Sequence, residues 1–485
     1  MTLCARLCAT KDPMAELWSI EELLAATGGR LEGEARGPFT GISIDSRSIA
    51  PGDIFVAIKG DSRDGHEFAA AALVKGAKLA IVARRTEEMG AKAAVLVVDD
   101  PLAALRRMAA AARSRSTAKI IAVTGSVGKT GTKEALRLVL SAQGETHASQ
   151  ASYNNHWGVP LSLARLSRSA RYAVFEIGMN HAGEITPLTG LVKPEIAVIT
   201  TIAPVHLGHF HSLEEIADAK AEIFSGVVPG GAVLLNRDDG FYARLSETAR
   251  RSKIGRIYGF GRHPSAEMRL DRSVLHETCT CVTAQIFGEE VVYKLGAPGE
   301  HLAMNSLAVL GAAALAEADL ARAALSLAAL SAPKGRGQRH RLIAPDGHLI
   351  LIDESYNANP SSVRAALAIL GNTRPGRGGR KIAVLGDMLE LGNGAAELHA
   401  ALAEAIDASG ADALYACGLL MRHLWDAVSP DRRGKYAASA EGLREPLLAD
   451  LRAGDVVMVK GSLGSRMGPL VEAIKKRFPA VSDSA

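Results

Sequence analysis

Aromatic residues make up only 4% of this 485-residue chain, and cysteine occurs five times. The cysteines are scattered: Cys4 and Cys8 near the start, Cys279 and Cys281 alternating in TCTCVTAQI on one face of a predicted strand, and Cys417 further on. No CxxC-type unit pairs with further Cys or His, which excludes a disulfide framework and a structural zinc site and leaves reduced thiols. An excess of one charge is missing too, since 56 Lys and Arg against 52 Asp and Glu leave +4. That balance speaks against a nucleic-acid binder or a membrane-surface protein. No apolar run approaches the roughly 18 residues of a membrane span. The opening MTLCARLCATKDP lacks an apolar signal-peptide region, so a cytoplasmic location is expected.

What is abundant is Ala, Leu, Val and Gly in a pattern of alternating strands and helices, the profile of an α/β enzyme. At roughly 150 residues per domain the length suggests about three domains. Residues 1–100 read as a small α/β domain, with a helix at Trp18–Ala26, strands at Gly41–Asp45, Asp53–Ile58, Leu79–Val82 and Val95–Val98, and then the helix Leu102–Ser114. Residues 101–332 carry strands at Ile120–Thr124, Ala173–Ile177, Ile196–Ile202, Ala232–Leu235 and Arg256–Tyr258, which implies a mostly parallel sheet. Val274–Leu295 reads as a small antiparallel addition, and Met304–Leu330 as helices broken near Ala318–Asp319. PKGRG at 333–337 reads as a hinge into a third domain, residues 333–485, with strands at His348–Asp353, Lys381–Leu385, Ala413–Ala416 and Val456–Lys460. The closing VSDSA is expected to fray.

The segment AVTGSVGKTGT, Ala122–Thr132, lies between a strand and a helix. A glycine-rich turn there lets backbone N–H groups wrap a phosphate at a helix N-terminus. Lys129 can neutralise outer phosphate charge and the Thr130 hydroxyl can ligate Mg²⁺. The usual pattern has glycine where this chain has Val123, so this is a shorter variant of the loop. A tight turn using Gly125 and Gly128 for backbone freedom alone would leave Lys129 and Thr130 unexplained.

Other candidates gain meaning from this loop. Glu176 closes a strand in FEIGMN; alone it reads as a cap or salt bridge, beside GKT as a Mg²⁺ ligand. TTIAPVHLGHFH holds His206, His209 and His211, but no further ligand set supports zinc. One histidine directed at a metal or phosphate site is the economical reading, and His209 and His211 stay unassigned. Lys220 in a helical pattern reads as a surface lysine, Asn305 as a cap or polar contact opening a long helix, and Arg336 and Asp353 as a hinge and a strand end.

Their order, with TGSVGKT, SYNNHWGVP, FEIGMN, DAKAEIF, GEHLAMNSLAV, GRGQRH and IDESYNANPSS, resembles the Mur ligase family over nearly the whole chain. YNN…GVP, EIGMN and DESYNANP are most similar to its dipeptide-adding branch, and the DYAHNP and DNPR segments of the third-residue-adding branch are absent. The resemblance implies a uridine-nucleotide-binding N-terminal domain, a central ATPase and a Rossmann-like C-terminal domain. It implies ATP-dependent joining of D-alanyl-D-alanine to UDP-N-acetylmuramoyl-tripeptide through an acyl phosphate, by a monomer. Gly125, Ser126, Val127, Gly128, Lys129 and Thr130 would hold ATP with Asn305, Arg336 and Asp353. Thr130, Glu176, His206 and Lys220 would serve Mg²⁺, with Lys220 carbamylated, and Lys129, His206 and Lys220 would form the catalytic set. Asn154 and Asn155 would line the growing peptide, Asn357 and Asn359 the incoming dipeptide, and Ser46 and Arg47 the uridine nucleotide. The rivals are another amide ligase, such as a folylpolyglutamate synthase, a phosphotransferase, and a P-loop protein that uses ATP as a switch.

Overall fold

A computed structural model describes residues 16–60, 63–150, 152–205 and 208–480. Cys4, Cys8, His206 and the VSDSA end lie outside the described residues.

Three sheets follow one another along the chain. The first runs, in spatial order, Arg30–Glu32, Val95–Val97, Leu79–Val82, Asp53–Val56 and Gly41–Ser43. All its pairings are parallel except that of the outer Arg30–Glu32 strand. The second has nine strands. Thr146–Ala148, Tyr172–Glu176, Lys119–Thr124, Ile196–Ile199, Ala232–Asn236 and Arg256–Gly261 pair in parallel. Met268–Leu275 joins in parallel at one end only, and Thr280–Ile286 and Glu289–Leu295 then fold back antiparallel. The third runs Gln338–Ala344, Gly347–Glu354, Val456–Lys460, Lys381–Gly386, Ala413–Cys417 and Arg433–Ala437, with only the first pairing antiparallel. The architecture is α/β with mostly parallel sheets, as the alternation of elements implies.

The central strands are buried on both faces: Ile120, Ile121, Ala122 and Val123 are fully inaccessible, and so are Ala173, Val174 and Phe175. Separate apolar clusters cover the two faces, one including Leu136, Val139 and Leu310, the other Val159, Leu188 and Phe224. Burial on both faces is why these strands read as continuous apolar runs.

Several expectations need correction. The β-rich stretch is antiparallel as expected but starts earlier, at Met268, and continues the central sheet, with an irregular register between Leu270 and Arg272. The strand expected over Ile196–Ile202 stops at Ile199, because Thr200 and Thr201 turn to hold the glycine-rich loop. Cys279 precedes its strand, which begins at Thr280, and Cys281 is exposed. Asn305 does not open its helix; Glu300–Leu315 begins a turn earlier, after Gly299.

The N-terminal sheet is fastened to the central one through Trp18. Its indole N–H donates to the Ala164 carbonyl at 2.9 Å, and the Arg115 guanidinium lies 4.0 Å from its ring centre. Elsewhere, the Gly208 N–H donates to the Glu390 carbonyl at 3.1 Å, joining the C-terminal part to the central one.

Candidate active site

Gly125 and Gly128 shape the loop that follows the Lys119–Thr124 strand. Gly125 has φ 143°, and a Cβ there would collide with the Thr200 hydroxyl. Gly128 sits in the left-handed region at φ 89°, and a Cβ would come within 2.6 Å of the Asn305 amide nitrogen. The loop is held from the neighbouring strand end. Thr200 Oγ donates to the Val127 carbonyl at 2.5 Å, Ser126 N–H donates to the Thr201 carbonyl at 2.8 Å, and Ser126 Oγ donates to the Ala203 carbonyl at 3.0 Å. The helix Lys129–Ser141 starts at Gly128 with no side chain capping it, so its first N–H groups and positive dipole end are available to an anion.

Lys129 bends over this loop and donates from Nζ to the Gly125 carbonyl at 2.7 Å. Burial lowers its pKa, while the Glu176 carboxylate opposes that shift. Glu176 pairs in register with Val123 at the end of the adjacent parallel strand, which brings its carboxylate to the mouth of the loop. One carboxylate oxygen accepts from Asn154 Nδ2 at 2.8 Å; the other is buried with no partner. A buried acceptor without a donor is costly, of order 1–3 kcal/mol, and a cation is what would satisfy it. Thr130, 7% exposed, lies on the same wall. Among the described residues no group of three or more His, Cys, Asp or Glu could hold a metal. One carboxylate and one hydroxyl beside a phosphate loop suit Mg²⁺, which binds through few protein ligands and the phosphates of its substrate.

These groups line a cavity of about 840 Å³. Its far wall comes from the C-terminal part: Arg336, Glu354, Tyr356, Asn357, Asn359 and Lys460. Lys460, almost fully buried at the end of its strand, donates to Glu354 at 3.2 Å and to the Asn357 carbonyl at 2.9 Å. The Arg336 guanidinium lies 4.2 Å from the centre of the Tyr356 ring. His301 lines the wall from the central part, and burial lowers its pKa.

The structure brings Ser126, Val127, Gly128, Lys129, Thr130, Asn154, Asn155, Glu176, Asn305, Arg336, Asn357 and Asn359 to this one cavity. Two of them also shape the backbone: Asn155 accepts from the Gly158 N–H at 2.9 Å, and Asn359 caps the helix Pro360–Asn372. Asp353 does not line the cavity; its buried carboxylate accepts from the Ser355 N–H and hydroxyl, and Glu354 faces the space instead. Lys220 does not line the cavity and is buried rather than at the surface, and burial together with the charge of Lys129 puts its pKa well below the usual lysine value. Ser46 and Arg47 stand apart in the N-terminal part, in a short 3-10 turn after the Gly41–Ser43 strand, where Lys75 donates to the Arg47 carbonyl at 2.7 Å and Asp45 pairs with the Arg47 side chain. His209 lies against the His181 ring, and the His211 N–H donates to Glu215. Thr200, His301, Glu354, Tyr356 and Lys460 were not singled out from the sequence. Glu354 and Lys460 carry the same signal as Glu176, a charged residue at the carboxyl end of a parallel strand.

Three family models match the chain in order: "Mur ligase family, catalytic domain" over residues 38–113, "Mur ligase middle domain" over 123–313, and "Mur ligase, glutamate ligase domain" over 335–463. The UDP-N-acetylmuramoyl-tripeptide–D-alanyl-D-alanine ligase of Rickettsia prowazekii is 32% identical over 459 residues, covering 94% of this chain and 99% of that protein. The Synechocystis enzyme of the same name is 35% identical over 441 residues, covering 90% and 92%. Among solved structures, MurF from Acinetobacter baumannii superimposes with a TM-score of 0.82 at 29% identity, over 96% of this chain and 100% of that one. MurF ligase from Thermotoga maritima in complex with ADP gives 0.75 at 25% identity, over 90% and 98%.

Proposed function

The chain belongs to the Mur ligase family, and from that premise we propose that it joins D-alanyl-D-alanine to UDP-N-acetylmuramoyl-tripeptide at the expense of ATP. The products are the UDP-N-acetylmuramoyl-pentapeptide precursor of peptidoglycan, ADP and phosphate. The observation that carries this reading is the cavity that a phosphate loop, a carboxylate with one buried unpartnered oxygen and a C-terminal wall enclose together.

A carboxylate is a poor electrophile, so it must be activated before an amine can displace its oxygen. The terminal carboxylate of the tripeptide attacks the γ-phosphorus of ATP, and the bond to the β-phosphate oxygen breaks to release ADP. The dipeptide's neutral amine then attacks the acyl-phosphate carbon, and the tetrahedral adduct loses a proton from nitrogen and expels phosphate as its C–O bond breaks. Lys129 and the loop N–H groups hold the β- and γ-phosphates and offset the charge that develops on them. Glu176 and Thr130 would hold Mg²⁺, which supplies charge neutralisation on the phosphate oxygens. Arg336 reaches the nucleotide from the far wall, and Asn305 braces Gly128. Asn357 and Asn359, with Glu354 and Lys460 beside them, receive the incoming dipeptide. Enclosure between two parts of the chain keeps water from the acyl phosphate.

Lys220 is carbamylated in this reading. Addition of CO₂ requires a neutral amine, and burial beside the charge of Lys129 favours that form. His206, by its match to the family motif, would help bind a second Mg²⁺. Residues 1–100 bind the uridine nucleotide with Ser46 and Arg47, residues 101–332 bind ATP, and residues 333–485 bind ATP and dipeptide. In this reading the enzyme acts in the cytoplasm as a monomer, and one chain supplying both walls of the cavity is consistent with the latter. Among the described residues no helix is long and apolar enough to cross a membrane.

The test is phosphate release from ATP and Mg²⁺ with the tripeptide nucleotide and the dipeptide, omitting each in turn. Release that requires all of them, with a pentapeptide product by mass, supports the assignment. Release without the dipeptide moves the activity to another ligase or to a hydrolytic switch.

A further inference from the structure

Tyr356 touches two separate parts of the cavity wall, the central segment at Ser152 and the hinge at Gly335 and Arg336. Its hydroxyl donates to Ser152 Oγ at 2.6 Å, across 204 positions of sequence, from the C-terminal part to the central one. Its ring lies under the Arg336 guanidinium, 4.2 Å from ring centre to guanidinium carbon. Its backbone N–H donates to the Gly335 carbonyl at 3.0 Å, beside a glycine whose φ of 71° lets the chain turn this closely around the Tyr356 Cβ. Ser152 lies two residues before Asn154, and the Asn154 backbone N–H donates to the Ser152 carbonyl at 2.8 Å. Asn154 in turn holds one oxygen of Glu176. The same segment is anchored at its other end, where the buried Lys133 donates to the Ser149 carbonyl at 2.8 Å.

We propose that Tyr356 is a positioning residue that ties the arginine on the C-terminal wall to the carboxylate on the central wall, so that both reach ATP only when the two walls are engaged. The proposal rests on the ligase reading for its kinetic consequence, but not for its structural one. An arginine on a flexible side chain is useful to a developing charge only if its direction is set beforehand. A tyrosine ring beneath the guanidinium sets that direction at low entropic cost, and cation–π attraction holds it. The hydroxyl acts separately and fixes the C-terminal wall to the strip that carries Asn154. The hydroxyl can be removed without the ring, which makes the two roles separable.

The experiment compares wild type, Tyr356→Phe, Ser152→Ala, the double variant and Tyr356→Ala in steady-state phosphate release with all substrates present. Small-angle X-ray scattering of each protein without substrates accompanies the kinetics. Tyr356→Phe and Ser152→Ala each lower kcat by about two- to tenfold, the range of one hydrogen bond. The double variant falls no further than the weaker single variant, because both substitutions remove the same bond. KM for ATP changes by less than about twofold in Tyr356→Phe, where the ring under Arg336 survives, and rises by about tenfold in Tyr356→Ala. Both hydroxyl variants show a larger radius of gyration than wild type. Multiplicative effects in the double variant, unchanged kcat in Tyr356→Phe, or unchanged scattering in both hydroxyl variants would each overturn the proposal. Failure of the ligase reading looks different: wild type releases no dipeptide-dependent phosphate, while the scattering comparison still reports whether the tie exists.

Discussion

Asn154 donates its side-chain amide to one oxygen of Glu176 at 2.8 Å, and the second oxygen of that carboxylate is buried with no protein partner. The pair sits at the meeting of two strands, since Glu176 is in register with Val123, the last residue but one before the phosphate loop. Asn154 fixes the direction of the carboxylate and leaves one oxygen for a cation. Glu176→Gln should therefore lower turnover by about 100-fold or more, the scale of a lost charge ligand. Its thermal midpoint should stay level or rise, because a desolvated charge has been removed. Activity against Mg²⁺ concentration and a melting curve check both halves. Activity near wild type across the Mg²⁺ titration would remove Glu176 from the metal site.

Lys129→Ala should reduce phosphate release by about 10³-fold, as expected when a preorganised charge at a transferring phosphoryl group is lost. The far-UV circular dichroism spectrum should not change, because the Lys129 side chain donates only to carbonyls of its own loop. Normal turnover with a normal spectrum would sink the assignment of the loop.

Gly128→Ala tests the backbone of the loop. The residue has φ 89°, and the new Cβ would press on the Asn305 amide at 2.6 Å. Stability should fall by about 1–2 kcal/mol from left-handed strain. KM for ATP should rise about tenfold, since Asn305 and the loop N–H groups shift together. Denaturant unfolding and an ATP saturation curve separate the two effects.

Lys220 should reveal itself through pH and through rescue. Its folded pKa lies well below the usual lysine value of 10.5, because it is buried and near Lys129. The native state therefore holds that proton less readily than the unfolded chain. Stability rises with pH from the lowered folded pKa up to 10.5, and the full penalty applies below that window. In CO₂-free buffer, where Lys220 keeps its free amine, Lys220→Met removes the penalty, so its gain in thermal midpoint over wild type should be larger at acid pH and shrink as pH climbs. A gain that grows with pH would contradict this. In the same reading Lys220→Ala is nearly inactive, and short carboxylic acids restore part of its turnover by standing in for the carbamate. Full activity of Lys220→Ala without any added acid would remove the carbamate from the mechanism.

Local sequence made the phosphate loop legible, because GSVGKT lies between an apolar run and a helix, although Thr200, Thr201 and Ala203 from the next strand end hold it in shape. It also determined the strands buried on both faces, such as Lys119–Thr124 and Val456–Lys460, since burial demands continuous apolar runs. The strands it did not reveal, Arg30–Glu32, Thr146–Ala148, Gln338–Ala344 and Arg433–Ala437, all lie at sheet edges, where one side meets solvent and polar residues are tolerated. Glu176 was legible because it ends a strand beside the loop. Its unpartnered oxygen was not, because that depends on Asn154 arriving from another segment. Which of two adjacent carboxylates faces the cavity, Glu354 or Asp353, was decided by strand alternation and by Ser355 claiming the inner one. Lys460 met Glu354 only through the pairing of two strands that lie far apart in the chain. Tyr356 gained Ser152 as a partner only when the C-terminal sheet came against the central one. Local patterns encode what neighbouring residues can do alone. A site shared between two sheets exists only after the chain has closed the distance between them.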